Sequence, residues 1–129
     1  MNTWTILSFG IPEEIANRLV DGRASHPRSR RRRIQHADRS ILRDISLHST
    51  SWRDELRATL DWGIHQRILA ADRLAVIIPR EVDQQIVDEV LASLQRGRKD
   101  KPIRLIRPSE ARIDRLLRQV ARPQLALAG

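Results

Sequence analysis

The chain has no cysteine and no tyrosine, one phenylalanine, and only two lysines in 129 residues. Without cysteine, disulfide scaffolds, thiolate metal sites, iron–sulfur ligation and thiol catalysis are all excluded. Aromatic residues make up 3% of the chain, too few to support base-stacking platforms of the RRM or OB type. Long hydrophobic runs are also missing. The longest, Leu74 to Ile78, has five residues, against about 18 for a membrane-spanning helix. The start, Met1-Asn2-Thr3-Trp4, offers neither the cationic end nor the apolar stretch of a signal peptide. No membrane association and a cytoplasmic location are the expectations. Neither a G-x-G-x-x-G nor a G-x-x-x-x-G-K-[ST] phosphate loop occurs.

Positive charge is plentiful. Lys+Arg number 24 against 16 Asp+Glu, a formal net charge of +8 and a pI near 11.5. With 40% hydrophobic and 31% charged residues, the composition is that of a soluble globular chain, and one domain is the default at this length. The excess charge sits in two blocks. Residues 23–33 carry Arg23, Arg28, Arg30, Arg31, Arg32 and Arg33 with no acid, and residues 96–122 carry ten basic and three acidic side chains. The stretches 1–22 and 34–95 are both mildly acidic. A compositional bias such as a high-GC genome produces would explain 22 arginines beside two lysines, but not their clustering. Clustered charge of one sign is the electrostatic footprint of a polyanion binder.

Three segments read as strands: 3–9, 74–78 and 103–107, rich in β-branched residues. Each runs into Pro-x-Glu, at Pro12-Glu13-Glu14, Pro79-Arg80-Glu81 and Pro108-Ser109-Glu110. A proline at the first helical turn and a carboxylate near the positive helix end are strand-to-helix chemistry. Helices are thus expected from Pro12 to Gly22, from 80 to 96, and from 109 to a stop at Pro123. Between them, Ile34, Ala37, Ile41 and Ile45 recur at helical spacing, with 41–48 as an alternative fourth strand. Ser51 and Asp54 resemble a capping box ahead of a helix of about twenty residues carrying Leu56, Leu60, Ile64, Ile68 and Ala71. Trp62 is expected to be largely buried, Leu60, Ile64 and Ile86 to be packed, and Trp52 to be partly exposed. The sum is a small three-layer α/β domain over 1–122, with a short parallel sheet, right-handed crossovers, four to five helices and a basic loop at 23–33. Residues 123–129 read as a loose tail.

Two sets of residues could touch an anion. In open parallel sheets ligands sit outside the carboxyl ends of the strands, near helix N-termini. Those ends carry Ser8, Gly10, Arg80, Arg107 and Ser109 as a candidate anion-binding group. The alternative for the two arginines is pairing with Glu81, Glu110 or Glu13. The stronger set is basic: the six arginines of 23–33, then Arg96, Arg98, Lys99 and Lys101, then Arg112, Arg115, Arg118 and Arg122. The last four recur every three or four residues, along one face of the final helix. Arginine binds phosphate through a planar fork and stays charged.

The four histidines, His26, His36, His48 and His65, show no metal-ligand spacing, and no H-E-x-x-H is present. No catalytic residue, metal or cofactor is singled out. The reading is a nucleic-acid-binding protein, for RNA or DNA, that grips the phosphate backbone and works with other protein subunits of a nucleoprotein assembly. Two alternatives stand beside it: an adaptor whose basic loop meets an acidic protein, and a phosphate-ligand or phosphodiester enzyme using the strand ends.

Overall fold

The computed structural model of the chain describes residues 4–21, 42 and 44–128, with side chains except at 21, 62 and 121–128. The arginines of 23–33 and the periodicity at Ile34, Ala37 and Ile41 lie outside the described residues, as does the side chain of Trp62.

Strands β1 (Thr5–Ser8), β2 (Leu74–Ile77) and β3 (Ile103–Ile106) form one parallel sheet in that order. The register sets Thr5 beside Leu74 and Leu74 beside Ile103. Helix α1 (Glu13–Asp21) follows β1. A long helical stretch precedes β2, composed of α2 (Trp52–Thr59), a π-helical segment (Leu60–Ile64) and α3 (His65–Ala70). Helix α4 (Gln84–Gln95) joins β2 to β3, and α5 (Glu110–Ala128) follows β3.

Alternation along the strands splits the core in two. Leu7, Leu74, Val76 and Leu105 face α2, α3 and α4, packing with Trp52, Leu56, Ile68, Val90 and Leu94. Ile6, Ala75, Ile77 and Ile106 face α1 and α5, packing with Ile15, Leu19, Ile113 and Leu116. Strand β2 is central and buried on both sides, which is why its sequence is an unbroken apolar run rather than an alternating one. The expected three-layer α/β domain is the observed architecture.

Five local expectations are corrected. Residues 44–48 form turns, not a strand, while Leu42, Ile45 and Leu47 tuck into the core beside Phe9. Ser51 precedes α2 but makes no side-chain cap; its φ of −96° and ψ of 10° are not the extended values a cap needs. Its hydroxyl meets that of Ser49 at 2.9 Å. Trp52 is only 4% exposed, because it shares the inward face of α2 with Leu56, and Arg53 lies over its ring at 4.8 Å. Helix α4 begins at Gln84 rather than 80, capped by Asp83, whose carboxylate accepts the Gln85 N–H. Finally, α5 continues through Pro123 to Ala128. A proline removes one helical hydrogen bond there, and the Leu/Ala-rich segment after it has high helix propensity.

Candidate nucleic-acid interface

The carboxyl edge of the sheet holds the anion-binding group read from the sequence, but most of its donors are already committed. Arg107 is half-buried. Its Nε donates to the carbonyl oxygens of Ile78 and Pro79, Nη2 to those of Pro79, Arg80 and Val82, and Nη1 to the Gln84 side chain at 3.2 Å. This clamp also explains the late start of α4. Carbonyls turned toward the guanidinium shape residues 79–82 into a turn, so Pro79-Arg80-Glu81 does not open a helix. Glu81 instead accepts the Glu110 N–H at 3.2 and 3.3 Å, at the N-terminus of α5. A carboxylate of the protein thus sits where a phosphate was expected. Ser109 caps the same helix, accepting the Arg112 N–H at 3.1 Å. Ser8 is fully buried and donates to the Ile11 carbonyl at 3.2 Å. Gly10 and Arg80 are exposed, but the hollow beside Gly10 is lined by His48, Glu110 and Asp114. Its two carboxylates repel an anion. This edge does not present the expected set to a phosphate.

The block at 96–101 divides. Arg98 is 1% exposed, a correction to its place among the phosphate contacts. Its guanidinium reaches back to the end of α3, donating to the carbonyls of Ile68 and Ala71, and also to that of Pro102 at 3.4 Å. Carbonyls at the end of a helix lack their regular i+4 donors, and Arg98 supplies a substitute. Burial pushes its guanidinium below its ordinary value, with the charge of Asp72 acting in the opposite sense. Lys101 is half-buried and bound to Asp72 and the Leu69 carbonyl, both at 3.4 Å. Arg96 and Lys99 remain exposed.

Helix α5 is different. Arg112, Arg115 and Arg118 are all exposed, and none makes a side-chain hydrogen bond or ion pair among the described residues. On its inner side Ile113, Leu116 and Val120 pack toward Trp4 and Ile106. Leu117 is 38% exposed. The Arg122 side chain lies outside the described residues. Beside α5, the sequence reading missed a second group: Arg73 and Arg104 lie over the Trp4 ring at 5.9 and 5.5 Å. Arg104 also donates to the Val20 carbonyl at 3.3 Å. The strand register sets Trp4, Arg73 and Pro102 together just ahead of the paired residues, a clue that needs the sheet order first.

The other missed feature is a groove of about 460 Å³ between α2–α3 and α4. Arg53 closes it in part, bonding Glu89 through Nε at 2.7 Å and Nη2 at 2.9 Å. The positions 53, 57, 61 and 65, four apart on one helical face, were the available signal.

By fold the protein is a small three-layer α/β domain with a three-stranded parallel sheet and basic residues clustered outside its core. No family model matches the chain, and neither a curated protein nor a solved structure is similar to it.

Proposed function

We propose that the protein binds the phosphate backbone of nucleic acid, with Arg112, Arg115 and Arg118 of α5 as the best-defined part of the interface. One observation carries this: three exposed guanidiniums on a single helix, with no protein partner for any of them among the described residues. Paired surface arginines neutralise themselves. Unpaired ones leave a positive field that a regularly spaced polyanion satisfies. The arginine block beginning at Arg23 starts two positions past α1, whose Val20 carbonyl is held by Arg104 on the α5 side of the sheet. Contact through charge positions the protein without reading bases.

The test is fluorescence anisotropy with labelled single-stranded and duplex oligonucleotides across a salt series. Log K is expected to fall against log salt by about 0.7 to 0.9 per phosphate contact. Changing Arg112, Arg115 and Arg118 to Ser should flatten that slope by about one unit for each phosphate no longer neutralised, with little dependence on sequence. Binding that is absent, or indifferent to both salt and this variant, rejects the reading. Loss of a co-purifying protein with nucleic-acid binding intact favours an acidic protein partner instead.

A further inference from the structure

We propose that the groove between α2–α3 and α4 is a binding site for a small phosphate monoester with a flat or apolar body. It lies on the opposite face of the sheet from α5 and does not depend on the nucleic-acid reading. Its volume, about 460 Å³, falls in the range of about 300–1,000 Å³ typical of ligand sites. The floor is apolar, made by Trp52, Leu56 and Leu60, and the rim carries Arg57, His65 and Arg96.

The charge balance gives the ligand its sign. Glu89 is neutralised by the two-pronged bond from Arg53, which also links α2 to α4 across the groove. What remains is two guanidiniums and an imidazole against one carboxylate, Asp61. Neither Arg57 nor Arg96 has a side-chain partner among the described residues. A terminal phosphate offers three oxygens to these three donor groups, and arginine forks match its geometry. Above the nearly buried Trp52 and Leu56, the half-buried Leu60 is the apolar surface that meets the organic part.

The wall of the groove supplies an independent observation. Between α2 and α3 the helix widens into the π-helical segment Leu60–Ile64, with Gly63 at a φ of +89°. A side chain at that φ is strained, so the widening depends on a glycine. Such insertions give up regular hydrogen bonding and occur often at functional sites. Here the insertion carries Leu60 and Asp61 and stands immediately ahead of His65, all three of which line the groove.

The experiment is titration of the full chain with phenyl phosphate by calorimetry, with phenol and inorganic phosphate as separate arms. Saturable binding of phenyl phosphate is expected, weaker for inorganic phosphate and absent for phenol. The double variant Arg57→Ala with Arg96→Ala should weaken it by at least about tenfold, with an unchanged melting temperature because both residues are exposed. The triple α5 variant should bind phenyl phosphate normally, so this site and the nucleic-acid interface fail separately. Absent binding, equal binding by the double variant, or loss in the α5 variant each overturns the proposal.

Discussion

At the carboxyl edge of the sheet Arg107 gives its nitrogens to four carbonyls and a glutamine. On α5, Arg112, Arg115 and Arg118 give theirs to nothing among the described residues. The same residue type therefore does opposite work in the two regions. In the first, arginine is a building element that satisfies main-chain oxygens where β2 gives way to a turn. In the second it is surface charge open to solvent and to a polyanion. A residue's chemistry names what it can bind, but only its unspent donors say whether it is free to do so.

That contrast is most easily broken by removing the internal arginines. Arg98→Ala removes the guanidinium's bonds to the carbonyls of Ile68, Ala71 and Pro102, of which Ile68 keeps the Ala71 N–H at 3.3 Å, and also opens a cavity. A loss of about 4 kcal/mol is expected, measured by chemical denaturation. Arg98→Met sharpens the point, since it refills the volume but donates nothing. If the methionine variant were as stable as the parent, the hydrogen bonds would contribute no net stability. Arg107→Ala, at a half-exposed site, should cost about 2 kcal/mol. The triple change of Arg112, Arg115 and Arg118 to Ser should stay within about 1 kcal/mol while altering nucleic-acid binding most. A large stability loss from the α5 variant would erase the distinction between the two regions.

The fold was legible where the information is local. Leu74 to Ile78 could be read as a central strand because burial on both faces demands an apolar, β-branched run. The Pro-x-Glu junction before α4 misled, because its outcome is decided by Arg107, more than twenty positions along the chain. Asp83, a good cap in its own right, takes that role once residues 79–82 are drawn into the turn. Among the candidate site residues, identity was legible and availability was not. Arg98 and Arg112 look alike in sequence, yet one closes the end of α3 and the other stands in solvent. For the groove, positions 53, 57, 61 and 65 mark one wall, but the other comes from α4, and nothing in the first helix announces it.

The end of α4 gives a smaller effect. Gly97 adopts a φ of +83°, just past the last turn, and a Cβ there would stand 2.9 Å from the Leu69 side chain. Gly97→Ala meets left-handed strain and a contact that the flexible leucine can relieve in part. A cost of about 1–2 kcal/mol is expected in the same denaturation assay. A neutral result would show that the 96–101 turn, which presents Arg98 to its carbonyls, relaxes freely.

The smallest effect concerns the pair that spans the groove, and it is seen as a pH dependence. The hydrogen bonds from Arg53 hold the Glu89 carboxyl below its ordinary value; partial desolvation opposes this and the charge of Arg53 adds to it. The same bonds raise the Arg53 guanidinium. An unfolded glutamate takes up its proton near pH 4.3, whereas Glu89 in the folded chain holds out to lower pH. The unfolded state therefore binds the proton first as pH falls. The stability due to this pair is fully present above about pH 4.3 and is lost as pH drops through the folded value. Both side chains are well exposed, at 55% and 39%, so the contribution is small and screened by salt. Glu89→Gln should be slightly less stable than the parent at neutral pH and low salt. The gap should close in acid and also at about 1 M salt. A gap that persisted in acid would mean that Glu89 acts through packing or its hydrogen bonds as a neutral group, and that charge does not hold the two walls of the groove together.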